Sequence, residues 1–210
     1  MENRFILAST SPRRSELLKQ VGLDFDVIPS RIEEDFVKGE SPRGHVLRLA
    51  GAKALDVGRQ HPDRWVIAAD TIVYVDHSIL GKPKDQEEAM GMLRRLSGKE
   101  HWVLTGFSVF HMRKGKGDRA AVRTTVKVKR LTPTEMEWYV QTREPFDKAG
   151  GYAIQGIGSF MIESIKGSYT NVVGLPLCEL IQMLIRLGAM TFPPTPAYRQ
   201  AGFPSPTSGG

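Results

Sequence analysis

The chain has 210 residues, 40% of them hydrophobic and 25% charged, with a formal net charge of +6. That length supports a single domain with a sizeable core, folded as two lobes around a cleft. No stretch approaches the roughly 20 apolar residues of a membrane-spanning helix, and the apolar run at 5–8 is too short for a secretion signal, so a cytoplasmic protein without membrane contact is expected. The single cysteine, Cys178, fits a reducing compartment. Its neighbours Leu175, Leu177 and Leu180 predict a buried, unreactive thiol.

In chain order, residues 4–8 read as a short buried strand, followed by a helix from Pro12 to about Val21 that Gly22 stops. A second strand covers 25–28, and the acidic stretch to Glu40 is loop. The next helix opens at Ser41-Pro42 and carries Val46, Leu49, Ala50, Lys53 and Ala54 at helical spacing. Residues 65–69 form a central strand, and 72–80 a hairpin turning at 76–78. Helix returns over 86–96. Strands at 101–111 and 119–130 flank a Gly/Lys turn at 114–117. The capping box Thr132-Pro133-Thr134-Glu135 starts a helix that runs to about Gln141. A glycine-rich loop, 150–158, is expected to be partly buried through Ile154 and Ile157. It precedes a strand at 160–164 and an apolar helix at 177–187. Residues 1–190 thus form one domain, and 191–210, rich in Pro, Ser and Gly, a mobile tail. Helices mixed with hairpins predict an α/β fold with a mixed sheet.

The charge is unevenly spread. Residues 113–130 carry eight basic side chains against one acid, Asp118, so this segment holds +7 and the remainder −1. The alternation Val126-Lys127-Val128-Lys129 places lysines on one strand face and valines on the other. A solvated sheet face explains the pattern, whereas nucleic-acid binding is disfavoured because no aromatic residue interleaves with the charges along this segment.

Chemistry concentrates elsewhere. Ser11-Pro12 opens a helix whose first turn holds Arg13 and Arg14, both set against the positive end of the helix dipole. An anion at that end would account for them. Free amides, the Ser9 and Ser11 hydroxyls and two guanidiniums would then cradle a phosphate, the alternative being two solvated arginines. Replacing Arg14 should in that case weaken binding of the phosphate ligand and spare folding. Asp70 ends a buried apolar run, where open α/β sheets place ligand crevices. With the hairpin turning at 76–78, position 82 pairs back near position 72, which returns Lys82 toward Asp70. A structural ion pair and a water-activating base beside a stabilising cation both fit this pairing. The chain has neither a P-loop sequence nor a zinc motif. The five histidines are scattered and read as structural, and carboxylates without histidine suit a hard cation such as magnesium.

The blocks Leu7-Ala8-Ser9-Thr10-Ser11-Pro12-Arg13-Arg14, Ile32-Glu33-Glu34, Ala69-Asp70-Thr71, Gly81-Lys82-Pro83, the run from Asp147 to Gly156, Gly167-Ser168-Tyr169 and the run from Asn171 to Pro176 occur in that order. Together they resemble the Maf family over about residues 4–188. The resemblance implies a nucleoside triphosphate pyrophosphatase with an elongated, two-lobed α/β fold like that of inosine triphosphatases and a deep central cleft. It also implies a divalent metal cofactor, Mg2+ or Mn2+, and a homodimer. Carried over by position, Asp70 is the proton acceptor. Ser9, Arg13, Arg14, Lys53, Lys82 and Lys148 line the phosphate site, and Glu34 joins Asp70 at the metal. Arg13, Thr71 and Gln155 match the type acting on dTTP and UTP, with CTP or modified pyrimidine nucleotides as further substrates. A 7-methyl-GTP pyrophosphatase and a nucleotide-sensing regulator of septum formation and cell division are the competing readings.

Overall fold

The computed structural model describes residues 4–191, so the expected tail, apart from Thr191, lies outside the described residues. The strands are β1 (Phe5–Leu7), β2 (Phe25–Val27), β3 (Trp65–Val75), β4 (Ser78–Leu80), β5 (Glu100–His111), β6 (Lys116–Val128) and β7 (Ile162–Lys166). The helices are α1 (Pro12–Gln20), α2 (Pro42–Gln60), α3 (Gln86–Leu96), α4 (Pro133–Gln141), α5 (Tyr169–Val173) and α6 (Leu177–Arg186). They flank one mixed sheet of order β2-β1-β3-β5-β6-β7, with β4 pairing on β3. β1 runs parallel to both β2 and β3, and every other pairing is antiparallel.

The expected break after Ala69 is absent. β3 is one uninterrupted strand, because β5 pairs it continuously from Val66 to Tyr74. Polar Asp70 and Thr71 interrupt the apolar run without ending the strand. On the opposite edge, β1 takes Trp65 to Ile67 and β4 takes Val73 to Val75. Residues 68–72 therefore have no strand partner on that side. The sheet is split there, and Asp70 lies in the split.

Alternation along β3 sorts its side chains into two lobes. Trp65, Ile67 and Ala69 pack with Leu17, Leu18, Leu180 and Leu184 of α1 and α6. Val73 and Val75 pack on the same face with Leu93 and Leu96 of α3 and with Tyr139 of α4. Thr71 falls between these two cores. On the other face α2 buries Ala54 and Val57 against Val66 and Ala68, and Val46 against Ile72. Asp70 points to this face. Gly106 of β5, opposite Asp70, lets α2 come close: a Cβ there would stand 2.2 Å from the Val46 carbonyl oxygen.

Several local expectations are corrected. Cys178 is exposed, because α6 turns Leu180, Met183 and Leu184 inward and leaves position 178 on the opposite side. Ile157 is also exposed, whereas Ile154 packs against the first core. Ser11 does not cap α1, although Ser41 and Thr132 cap their helices through Gly44 N and Glu135 N. The glycine-rich segment begins and ends in 3-10 turns, Ala149–Gly151 and Ile157–Met161, with irregular backbone between them, and α5 was not expected. The lysine–valine alternation holds: Val126 and Val128 are buried, while Lys127 and Lys129 pair with Glu163 and Glu135. Cross-strand packing, however, supplies the aromatics that the basic segment lacks, with Arg123 over Trp102 at 4.5 Å and Lys114 over Trp65 at 5.6 Å. Among the described residues no helix is long and apolar enough to cross a membrane.

Candidate functional site

A cleft of about 730 Å³ opens at the split in the sheet. Every sequence-predicted site residue lines it: Ser9, Ser11, Arg13 and Arg14 from the start of α1, Glu34 from the acidic loop and Lys53 from α2. Asp70 and Thr71 come from β3, Lys82 from beyond β4, Lys148 from between two 3-10 turns and Gln155 from the irregular segment before the next.

Lys53 is not a surface lysine. It sits on the face of α2 that carries Leu49, Ala50 and Ala54, and it is 5% exposed. A buried ammonium requires charged partners, and it has two: Nζ donates to Asp70 Oδ1 at 2.8 Å and to Glu34 Oε1 at 2.6 Å. Asp70 is likewise 5% exposed. Burial alone would raise the Glu34 carboxyl. The Lys53 hydrogen bond and charge, with Lys82 and Arg14 farther out, instead hold it below the ordinary carboxylate range. Lys82 is exposed at the rim. The β3–β4 ladder ends at the Val73–Leu80 pair, and Lys82 lies two residues beyond it, on the side of Thr71 and Ile72. Its charge reaches Glu34.

Arg14 departs most from expectation. Its Nη1 donates to Ala69 O at 2.9 Å and Ser9 Oγ at 3.1 Å, its Nε to Gly174 O at 2.9 Å, and its Nη2 to Thr71 Oγ1 at 3.0 Å. It therefore ties together α1, the open edge of β3 and the turn after α5. Thr71 Oγ1 also meets Thr105 Oγ1 at 2.9 Å, so the Thr71 hydroxyl is engaged within the protein. Ser9 Oγ accepts from Ser11 N at 3.2 Å as well as from Arg14, which leaves its own proton to donate into the cleft. The first turn of α1, with no side-chain cap and no acid, presents its free amides there.

Arg13 lies at the mouth, where Nη1 donates to Asp147 Oδ2 at 2.8 Å. Lys148 Nζ donates to Glu144 O at 2.7 Å and also to Asp147 Oδ1. Gln155 is half-buried in the turn that follows. Sequence reasoning quoted Asp147 within a family block without giving it a role, and it passed over Thr105. An acid next to a lysine looks like an ordinary surface pair, and a threonine within a strand looks like core. His101 was read as structural. Its Nε2 pairs with Tyr152 OH at 2.7 Å, away from the cations.

Among the described residues no group of three or more His, Cys, Asp or Glu is arranged to hold a metal. Glu34 and Asp70, two oxygen donors converging on one ammonium, are the available pair.

The family model described as Maf-like protein matches residues 4–187. A dTTP/UTP pyrophosphatase of Syntrophus aciditrophicus (strain SB) is 48% identical over 91% of this chain and 94% of its own. One from Syntrophotalea carbinolica is 50% identical over 90% of this chain and 87% of its own. Another, from Geotalea uraniireducens, is 49% identical over 90% and 97%.

Proposed function

The chain belongs to the Maf-like protein family, and on that premise we propose that it hydrolyses nucleoside triphosphates to the monophosphate and pyrophosphate, with dTTP and UTP preferred. The observation that carries this reading is Asp70, a buried carboxylate at an open strand edge, in a cleft whose other charged side chains are mostly cations. Such a cleft suits a polyanion, and its one deep acid suits a proton acceptor.

In this reading Asp70 takes a proton from water as the water oxygen attacks the α-phosphorus. The bond from that phosphorus to the bridging oxygen breaks, and pyrophosphate leaves with the bridging oxygen. Lys53 holds the Asp70 carboxylate in place through Oδ1, and among the described residues Oδ2 accepts no hydrogen bond. Arg13, Lys82 and Lys148, with the α1 amides and the Ser9 and Ser11 hydroxyls, bind the phosphates and stabilise the leaving charge. Arg14 and Thr71 shape the floor on which these groups stand.

Glu34 and Asp70 fit a Mg2+ or Mn2+ ion: both are hard oxygen donors, they already share one cation, and phosphate oxygens and water complete such sites. When bound, the ion supplies neutralisation of phosphate charge. Gln155 offers an amide donor and acceptor side by side, matching the adjacent carbonyl and N–H of thymine and uracil. A single methyl separates the two bases poorly, so both are used.

The test is pyrophosphate release from dTTP, UTP, CTP, GTP and 7-methyl-GTP, with and without Mg2+ or Mn2+. Asp70→Asn should lose about 10²–10⁴-fold in turnover while retaining nucleotide affinity. Orthophosphate as the first product, or near-parental turnover in Asp70→Asn, overturns the reading. A preference for 7-methyl-GTP overturns the pyrimidine assignment alone.

A further inference from the structure

Arg13 and Lys148 come from segments far apart in sequence, and one carboxylate holds both. Asp147 ends the 3-10 turn Glu144–Asp147. Its Oδ2 accepts from Arg13 Nη1 at 2.8 Å, its backbone oxygen from Arg13 Nη2 at 3.4 Å, and its Oδ1 from Lys148 Nζ. The turn is itself anchored. Glu144 Oε2 accepts from Gly158 N at 3.2 Å, and Gly150, in a left-handed conformation, donates its N–H to Gly81 O at 2.9 Å. Asp147 is thus a fixed point, while Arg13 is a long side chain at a helix start.

The Asp147 side chain is 60% exposed. An ion pair at such a position contributes little to stability, so its effect lies in orientation. Without the carboxylate, two like charges at the cleft mouth repel, and each regains rotamer freedom. Burial would raise the Asp147 carboxyl, but Lys148 and Arg13 together hold it below its ordinary range, and it stays ionised at neutral pH.

We infer that Asp147 is a positioning residue: its carboxylate sets Arg13 and Lys148 side by side at the mouth of the cleft, so the two cations meet the phosphates as a preformed pair. The inference rests on the reading of this cleft as a phosphate site. It assigns Asp147 no contact with the reacting atoms. Its loss should therefore raise KM and leave kcat nearly intact.

The experiment compares Asp147→Asn, Arg13→Ala and the double variant, using KM and kcat for dTTP and calorimetric affinity for inorganic pyrophosphate. Asp147→Asn should raise KM and weaken pyrophosphate binding about tenfold, with kcat changed less than about threefold and the melting temperature close to parental. In the Arg13→Ala background the same change should add less than about threefold, because the pair it organises is already broken. An unchanged KM, or equal effects in both backgrounds, overturns the inference. A lowered KM overturns it too, and makes Asp147 a competitor of phosphate. If the parent releases no pyrophosphate from any nucleotide, the underlying reading fails, and the pyrophosphate affinities still decide the role of Asp147.

Discussion

Arg14 directs four hydrogen bonds into the protein, two of them to backbone carbonyls that no strand or helix satisfies. Removing the guanidinium leaves Ala69 O without its donor and Gly174 O with only the Thr71 hydroxyl at 3.4 Å, at a partly buried site, and bonds to a charged donor are the stronger kind. Arg14→Ala should therefore cost about 2–4 kcal/mol in unfolding free energy, read by urea denaturation. Parental stability with weakened nucleotide affinity would instead restore the simpler picture of an arginine that faces only phosphate. Two adjacent arginines in one helical turn look equivalent in sequence. They differ because successive helix positions are about 100° apart: one points along the cleft mouth to Asp147, the other down to the open edge of β3.

Helix starts show the same limit at the scale of elements. Ser11, Ser41 and Thr132 each precede a proline, and the pattern predicts three capped helices. Two are capped. At α1 the cap is missing, and its place opens onto the cleft. Ser41→Ala should cost about 1 kcal/mol, whereas Ser11→Ala should leave stability within about 0.5 kcal/mol; chemical denaturation of the two variants decides this. A comparable loss in Ser11→Ala would mean that its hydroxyl does cap α1 in solution. Gly106 gives the sharper test of α2. A methyl group there meets Val46 O at 2.2 Å, so Gly106→Ala must push α2 off the sheet and carry Lys53 away from Asp70. An expected cost of about 1–3 kcal/mol should come with a larger fall in turnover than Ser41→Ala produces. Normal turnover in Gly106→Ala would uncouple the seating of α2 from the site. Periodicity and punctuation made α1, α2, α3, α4 and α6 legible because each carries its own signal. They could not reveal β3 as one strand, since only pairing with β5 carries it through Asp70 and Thr71. Nor did they reveal α5: Ser168 caps it and Gly174 ends it, but five residues are too few to show a helical period.

Over the whole molecule, what sequence made legible was the membership of the site, and what it left hidden was the wiring. Asp70, Lys53 and Glu34 are far apart in the chain, and only the fold makes them a single ionic cluster. Acid response is a property of the molecule as a whole, and near neutrality two histidines set it, His101 and His111, both lowered chiefly by burial. Burial lowers the His101 pKa to about 4, and its Nδ1 has no partner among the described residues. As pH falls below the ordinary histidine value of about 6.5, the unfolded chain takes up a proton that the folded one refuses. Stability is thus full above about 6.5 and declines toward about 4, by up to about 3 kcal/mol. Unfolding free energies between pH 7 and 5 should fall in the parent and stay flatter in His101→Gln. Parallel curves would mean that this imidazole titrates normally in the fold.

The split in the sheet has one more consequence. A strand edge with free N–H and C=O groups ordinarily invites a second chain to pair with it. Here the free edge at 68–72 is closed at one end by β1 and at the other by β4, with Arg14 already bonded to Ala69 O. It spans about five residues, shorter than the strands that recruit one another in aggregates. An incoming strand would have to enter past cationic side chains that favour anions over backbone. The protein thereby keeps open the polar backbone that its cleft requires, along an edge too short and too enclosed to template a strand from another chain.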